Sequence, residues 1–335
     1  MTNRLPPVGP TDEQLHQVIS LYSAGQWADV ELVCIKLTQE YPNHPFCWMI
    51  LGVILNLTGR REAAIEPMRQ AVKLSHYDAH AHDNLGIALY DLRRFEESVF
   101  SYKNALKILP DFAGALSNLG NALKELGLLK ESEASYRKAI RIQPDYAQAY
   151  SNLGIVLKEL GRLEEAESAY RDAIRIKPDF AEVHCYLGAL LKHFGHLEAS
   201  VGNYRKAIQI KPYFLDAYNN LRNALKDLGR LEELVDIYRE AIRIHPDFAE
   251  AHHHLGLVLF ELRQLRAAEA SYREAIRINP NDFAAYIDLG NTLFELGRFE
   301  ESAPEPVVAG RSMFQINGAT DFFPEGASPE AALLL

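Results

Sequence analysis

The amino-acid sequence predicts an all-α fold, an α-solenoid in which 34-residue helix–turn–helix repeats stack into a right-handed superhelix. Proline recurs every 34 residues, and His76 occupies the single gap in the series. The prolines of this series are Pro42, Pro110, Pro144, Pro178, Pro212, Pro246 and Pro280. A leucine series and a glycine series recur with the same period. A fixed period of this length is typical of solenoids, in which each repeat buries its apolar side against its neighbours.

The same period predicts the domain organisation. If each repeat begins three residues after the proline position, eight full repeats cover residues 11–282, and the first helix of a ninth extends the array to residue 303. Residues 1–10 then form an N-terminal leader, and residues 304–335 form an irregular tail that contains proline and glycine. Positions within a repeat are numbered below from these starting residues, so that residues 11, 45 and 79 are each position 1.

The first half of each repeat is predicted to be an amphipathic helix. Positions 4, 7, 8 and 11 lie on one side of a helix, and this side is apolar in almost every repeat. Position 11 is leucine throughout, from Leu21 to Leu293, and positions 7 and 8 are usually Leu-Gly, as in Leu119-Gly120 and Leu153-Gly154. We therefore expect these four positions to be buried.

A turn and a second helix are predicted next. Position 15 is glycine in most repeats, and glycine allows a helix to end and the chain to reverse. In the second helix, position 24 is tyrosine and position 27 is alanine, for example Tyr136 and Ala139. The small alanine lets neighbouring helices approach, while the tyrosine fills the space between them.

The sequence also predicts how the array ends. In the ninth repeat, Pro304 and Pro306 fall where the second helix would run, so we expect that helix not to form. We expect the apolar residues of the tail to cover the side that this helix leaves open, and self-association through the uncapped end if they do not. These tail residues are Phe314, Ile316, Phe322 and Phe323.

The amino-acid composition and the net charge indicate which classes of protein and partner the sequence favours. Apolar residues make up 48% and charged residues 24%, which suits a soluble protein with a continuous core. The net charge of −10 argues against nucleic acid as the main partner, because phosphate binding requires a clustered basic surface. No apolar stretch is long enough to span a membrane, so a cytoplasmic protein is expected. Cys34, Cys47 and Cys185 have no paired spacing and are expected to be buried thiols.

The sequence contains no catalytic motif, and we expect neither an enzyme activity nor a cofactor. There is no phosphate-binding glycine loop, no nucleophile elbow and no His-Glu-x-x-His. The run His252–His254 does not favour a metal site, because successive helical residues point about 100° apart. His193 and His196 are a weak alternative at a helix end. At position 4, His82, His184 and His252 are expected to pack in the core.

These features together resemble the tetratricopeptide repeat family, over eight units with glycine, alanine and proline in register. The repeats are also similar to those that precede the catalytic domain of O-GlcNAc transferases and related bacterial transferase fusions. Residues Ser117-Asn118-Leu119-Gly120-Asn121 and Gly161-Arg162-Leu163-Glu164-Glu165-Ala166 carry this second similarity. The resemblance implies a concave groove, lined by the side of each first helix that is opposite the core, in which an extended peptide or partner protein binds.

Asparagines and lysines recur on that side of the first helices. An asparagine amide both donates and accepts, so it can pair with the peptide unit of any extended ligand, and O-GlcNAc transferase repeats are similar in using asparagines this way. We name Asn84, Asn118, Asn121, Asn152, Asn220 and Asn223 the asparagine row, and expect its side chains to point away from the core. Position 12 carries Lys124, Lys158, Lys192 and Lys226, which we name the lysine strip.

Two interpretations of these polar positions stay open. The asparagine row could bind a ligand, or it could simply be a solvated helix surface copied by duplication of the repeats. The lysine strip could receive an acidic peptide, or it could be a solvated rim next to acidic residues at position 13. The sequence accordingly predicts a protein-interaction scaffold. The alternative is the substrate-recognition arm of an O-GlcNAc transferase-like or other protein-modifying transferase whose catalytic domain is absent from this chain.

Overall fold

The computed structural model describes residues 9–298 and residue 301, and within these residues it contains 17 helices and no strand. Each repeat contributes a first helix and a second helix, as the sequence predicts. The first helices are α1 (Asp12–Ser23), α3 (Pro45–Leu57), α5 (Ala79–Asp91), α7 (Ala113–Glu125), α9 (Ala147–Glu159), α11 (Ala181–His193), α13 (Leu215–Asp227), α15 (Ala249–Glu261) and α17 (Phe283–Glu295). The second helices are α2 (Trp27–Glu40), α4 (Arg61–Leu74), α6 (Phe95–Ile108), α8 (Leu129–Ile142), α10 (Leu163–Ile176), α12 (Leu197–Ile210), α14 (Glu232–Ile244) and α16 (Leu265–Ile278). The fold is an all-α repeat solenoid.

The chain divides into two compact units, Met1–Gly229 and Arg230–Leu335. The first unit contains α1 to α13, and the second contains α14 to α17. The boundary falls between the two helices of repeat 7. The sequence predicts a single array at this point, because the 34-residue pattern continues through it.

The glycine at position 8 and the tyrosine at position 24 pack together in the interior of repeats 3 to 6 and of repeat 8. A Cβ atom added at Gly154 would lie 2.5 Å from Cε1 of Tyr170, so only glycine fits against this ring. Gly86, Gly120, Gly188 and Gly256 have the same relation to the tyrosine of their own repeat. In repeats 3 and 4, a buried serine adds a hydrogen bond: Ser98 Oγ donates to Gly86 O at 2.8 Å, and Ser132 Oγ donates to Gly120 O at 2.7 Å.

The turn at position 15 requires a left-handed backbone conformation. Its glycines have φ values between 68° and 82°. Arg93 and Arg263 occupy the same position in repeats 3 and 8 and adopt φ values of 61° and 60°. A residue with a Cβ atom costs about 1–2 kcal/mol in this conformation, so the packing of the repeats imposes the turn even without glycine.

In repeats 2, 3, 6 and 8, the side chain at position 4 links the first helix to the preceding turn, a contact that sequence reasoning missed. His82 and His184 are buried, as predicted, and the Nε2 atom of each donates to the backbone carbonyl six residues earlier, His76 O at 3.2 Å and Pro178 O at 3.0 Å. Trp48 Nε1 donates to Pro42 O at 2.9 Å in the same way. An aromatic ring with an N–H therefore fixes the chain just before the helix.

Ion pairs between second helices connect neighbouring repeats. Arg162 binds Glu133 of the preceding repeat at 2.7 Å and Glu165 of its own at 2.6 Å, while Arg137 binds the same two carboxylates at 2.8 and 3.0 Å. These contacts lower the pKa of Glu165, chiefly through the hydrogen bond from Arg162. The same arrangement recurs in the second unit, and its members are Glu269, Arg273, Arg298 and Glu301.

The three cysteines are buried, as predicted, and are free thiols. Burial raises the pKa of Cys34 to about 12 and that of Cys47 to about 11, and it also raises the pKa of Cys185. Since the thiolate is the reactive form, these groups are inert in the folded protein.

A proline lies inside a second helix. Pro67 is in the interior of α4, at position 23, and the helix continues through it to Leu74. One proline in this part of a repeat is therefore compatible with a helix. Pro304 and Pro306, and the tail residues expected to cover the end of the array, lie outside the described residues.

The last described helix exposes large apolar side chains. Phe283 is 76%, Ile287 65% and Phe294 50% exposed on α17. Ile287 is at position 5, which is buried in repeats 3 to 6 at Asp83, Ser117, Ser151 and Cys185. Among the described residues, none of the helices is long and apolar enough to cross a membrane.

Candidate functional site

The asparagine row lies on first helices of the first unit. Asn84 is on α5, Asn118 and Asn121 on α7, Asn152 on α9, and Asn220 and Asn223 on α13. First helices of neighbouring repeats contact each other at α5–α7, α7–α9 and α11–α13. All of these side chains except Asn223 are half-buried, and Asn223 is exposed.

Some of these asparagines form hydrogen bonds between repeats. Asn118 Nδ2 donates to Asp83 Oδ1 at 3.2 Å, and Asn220 Nδ2 donates to Cys185 Sγ at 3.5 Å. Both bonds run from position 6 to position 5 of the preceding repeat. Because the position 5 partner is buried in each case, these bonds hold adjacent first helices together.

A second network occurs between α7 and α9. The Asn121 Oδ1 atom accepts hydrogen bonds from Tyr136 OH at 2.6 Å and from Asn152 Nδ2 at 3.0 Å. Gln148 Nε2 then donates to Asn152 Oδ1 at 3.0 Å. Both ends of the Asn152 amide are therefore engaged within the protein.

These contacts add to what the sequence predicts for the row. Its side chains are expected to point away from the core, and Asn118, Asn152 and Asn220 also form hydrogen bonds to the preceding repeat. The helical period places them opposite the apolar side of their own helix, and the preceding first helix packs against this flank. Among the asparagines of the row that form these bonds, the groups without a hydrogen bond within the described residues include the Oδ1 atom of Asn118 and of Asn220, and the Nδ2 atom of Asn121.

The row is interrupted at α11. Position 6 in this helix is Tyr186, which is 39% exposed and whose ring centroid is 5.8 Å from that of buried Tyr170. An aromatic side chain therefore separates the asparagines of repeats 3 to 5 from those of repeat 7.

Burial also affects the pKa of a carboxyl group beside the asparagine row. Asp83 is buried, and this burial raises the pKa of its carboxyl group, while the hydrogen bond from Asn118 lowers it in part. The carboxylate is thus held in an environment that favours its protonated form.

The lysine strip is partly neutralised by acidic neighbours. Lys124 Nζ is 2.9 Å from Glu125 Oε1, and Lys192 Nζ is 2.9 Å from Asp227 Oδ2 of the next repeat. Lys158 is exposed, and the residue in the place equivalent to Asp227 is His193. The solvated-rim interpretation therefore describes Lys124 and Lys192, whereas Lys158 has no ion pair within the described residues.

The histidines of repeat 8 do not converge. His252 Nε2 is 3.2 Å from Pro246 O, whereas His253 is flanked by Asp288 at 2.8 Å and by Asp282 at 3.4 Å. No group of three side chains that could hold a metal ion occurs in the described part of the chain.

Sequence reasoning missed a groove lined by second helices α8 and α10 and by the first helix α9 between them. Its floor is formed by Ile140 of α8 and by Tyr150 and Leu153 of α9, and it encloses a cavity of about 620 Å³. Arg137 and Arg141 of α8 line its edge. It continues toward α10 as a smaller cavity of about 150 Å³. We name it the α8–α10 groove, and its lining residues are Ala134, Arg137, Ile140, Arg141, Tyr150 and Leu153.

The comparison with protein families matched repeat models along the chain. The models described as tetratricopeptide repeat match residues 111–179, 151–213, 249–282 and 271–302. A model described as TPR repeat matches residues 88–127 and 223–263. The comparison with curated proteins gave no match.

Solved structures with the same architecture include PilF of Pseudomonas aeruginosa, which is 19% identical, with a TM-score of 0.53 over 60% of this chain and 92% of that one. The Cut9–Hcn1 hetero-tetramer of the APC/C is 17% identical, with a TM-score of 0.49 over 84% of this chain, which spans 56% of that protein. A thermophilic TPR protein of Thermus thermophilus is 25% identical, with a TM-score of 0.46 over 54% of this chain and 99% of that one. At these identities the likeness concerns the fold.

Proposed function

Because the chain belongs to the tetratricopeptide repeat family, we propose that it is a protein-interaction scaffold, and that the first helices of repeats 3 to 7 bind an extended segment of a partner protein. The asparagine row is the surface that would hold this segment, with the exposed Lys158 beside it.

The observation that carries the proposal is the way the asparagine amides are anchored. In Asn118 and Asn220 the amide nitrogen is bound to the preceding repeat, whereas the oxygen has no hydrogen bond within the described residues. Asn121 has the opposite arrangement, with its oxygen engaged and its nitrogen available. The row thus offers both acceptors and a donor, the two groups that a peptide unit needs. An anchored side chain also loses less rotamer entropy on binding.

The spacing of the helices suits an extended ligand. Packed helices lie about 8–10 Å apart, and an extended chain advances about 3.3 Å per residue. An asparagine of the row could therefore meet the ligand backbone about every third residue. Each hydrogen bond contributes only about 0.5–1.5 kcal/mol, so several in series would be required for useful affinity.

A selection experiment tests the proposal. The purified full chain is used to select binders from a library of 12-residue peptides, and a selected peptide is labelled with fluorescein for polarisation measurements. The triple variant Asn118→Ala, Asn121→Ala, Asn220→Ala should bind this peptide at least tenfold more weakly than the wild type.

The matched control is Asn104→Ala, an asparagine on the second helix α6 that accepts a hydrogen bond from Lys107. This variant should bind within about twofold of the wild type. If the triple variant keeps full affinity for every selected peptide, or if no peptide is enriched, the asparagine row is not a peptide-binding surface.

A further inference from the structure

We propose that the α8–α10 groove is a second binding site, distinct from the asparagine row, for a partner segment in which a large apolar side chain lies within about two residues of an aspartate or glutamate. The groove is lined by side chains of α8, α9 and α10, and none of these side chains belongs to the asparagine row. The two sites can therefore be occupied and disrupted separately.

The first support is the shape and chemistry of the floor. Ile140, Tyr150 and Leu153 form an apolar surface beneath a cavity of about 620 Å³, which is large enough for an aromatic or long aliphatic side chain. The corresponding groove between α4 and α6 encloses about 390 Å³ and is lined by Phe100, which is 66% exposed. The residue equivalent to Phe100 on α10 is Ser168, which lines the smaller cavity of about 150 Å³, so the α8–α10 groove has a small side chain at this position.

The second support is an arginine that lacks the acidic neighbour found in other repeats. At position 29, Arg175, Arg243 and Arg277 each bind the acidic residue three positions earlier. The partners are Asp172 at 3.0 Å, Glu240 at 2.6 Å and Glu274 at 2.6 Å, respectively.

Arg141 occupies position 29 of repeat 4, and the residue three positions earlier is Lys138. Within the described residues Arg141 has no ion pair, and it lines the groove. Two like charges one helical turn apart repel each other, and an anion between them removes this repulsion. Arg137, on the same helix, is already bound to Glu133 and Glu165. Glu165 and Asp172 line the smaller cavity toward α10, and they are bound by Arg137 and Arg175, respectively. Arg141 is therefore the cation at the groove that has no ion pair within the described residues.

The third support is a hydroxyl group at the floor. Other position 4 residues, such as Trp48 and His184, use a ring N–H to bind the backbone of the preceding turn. Tyr150 occupies position 4 of repeat 5, lines the groove, and its hydroxyl has no hydrogen bond within the described residues. A phenol and a guanidinium group at one cavity form a donor pair for a carboxylate.

The test starts from a chain in which the asparagine row is disabled. Twelve-residue peptides are selected on the variant Asn118→Ala, Asn121→Ala, Asn220→Ala, so that success or failure here is independent of the proposed function of the row. Enriched peptides should share an apolar residue next to an acidic one. A fluorescein-labelled representative is then measured against single variants of the otherwise wild-type chain.

Arg141→Glu should weaken binding of this peptide at least tenfold, and Ser168→Phe, which reproduces Phe100 of repeat 3, should weaken it by a similar factor. Arg243→Glu reverses the charge at the same position in repeat 7 and should bind within about twofold of the wild type. A peptide with its acidic residue changed to lysine should regain affinity for Arg141→Glu. Circular dichroism checks that every variant remains helical.

Two results would overturn the proposal. One is a selection that enriches peptides without acidic residues, or that enriches no peptide. The other is a selected peptide that binds Arg141→Glu and Ser168→Phe as tightly as the wild type.

Discussion

Repeats 3 to 5 carry two sets of polar side chains, the asparagine row and the polar residues of the α8–α10 groove, and the fold engages them to different degrees. In the row, Asn118 and Asn152 form hydrogen bonds to the preceding repeat, so part of their hydrogen-bonding capacity belongs to the fold. At the groove, Arg141 of second helix α8 and the hydroxyl group of Tyr150 of first helix α9 have no partner within the described residues. Residue type alone therefore does not tell which polar group is available to a ligand. The packing of the adjacent repeat decides it.

The largest expected effect concerns the end of the array. Removal of residues 304–335 should leave Phe283 and Ile287 of α17 exposed and lead to self-association, because a contiguous apolar surface is unfavourable in water. Light scattering should then show about twice the mass of one chain. The additional change Ile287→Asp should restore the monomer. If the truncated chain is monomeric and equally stable without it, the tail does not protect α17.

A second prediction concerns the interior of a repeat, where the first helix packs against the second. Gly188→Ala should destabilise the protein by about 1–3 kcal/mol, because the added Cβ would lie 2.7 Å from Tyr204 Cε1. Gly202→Ala in the same repeat is the control, because its Cβ would meet nothing within 4 Å. This substitution should stabilise α12 by about 0.5–1 kcal/mol. Urea denaturation measures both. Equal effects would mean that the glycine–tyrosine contact does not determine the packing.

A third prediction sharpens the contrast within the asparagine row. Asn152→Ala removes two hydrogen bonds and should lower the free energy of unfolding by about 1–2 kcal/mol. Asn223→Ala, at an exposed position, should change it by less than about 0.5 kcal/mol. Thermal unfolding followed by circular dichroism distinguishes them. Similar values would contradict a structural role for Asn152.

The smallest expected effect is a dependence on pH. Since burial raises the pKa of Asp83 in the folded protein, the folded state holds this proton more tightly than the unfolded state, and stability falls as the pH rises through the window between the two pKa values. Asp83→Asn keeps an acceptor for Asn118 and should raise the free energy of unfolding at pH 7 by up to about 1 kcal/mol.

Lowering the pH to about 4.5 should reduce this gain, because wild-type Asp83 becomes partly protonated. Asp145→Asn, at an exposed position, should show neither effect. A gain that is the same at both pH values would show that the charge of Asp83 does not limit stability.

Much of the fold could be predicted from the sequence, because the residues that specify it act within one repeat. Gly120 and Tyr136 belong to the same helical pair, and their spacing is visible as a periodic pattern. Gly127 could be placed in a turn for the same reason. The prediction was less complete where a single unusual residue is accommodated by its surroundings, as with Arg93 in the left-handed turn and Pro67 inside α4.

The candidate site was harder to predict, because its contacts cross between repeats. The bond from Asn118 to Asp83 joins residues 35 positions apart, and the helical period of one helix cannot indicate it. The sequence shows Lys138 three positions before Arg141, where repeats 5, 7 and 8 have an acidic residue, but the groove that Arg141 lines required the structure. The similarity to transferase arms rests on the types of residue in the row, and it stays a prediction.

The hydrogen bond from Trp48 to the preceding turn has a practical consequence for spectroscopy. The protein contains two tryptophans, Trp27 and Trp48, and both belong to the first two repeats. Intrinsic tryptophan emission therefore reports on the N-terminal end, whereas circular dichroism averages over every helix. In a solenoid whose repeats contact only their neighbours, the two signals need not change together on heating. The separation between the two melting curves measures how far cooperativity extends along the chain.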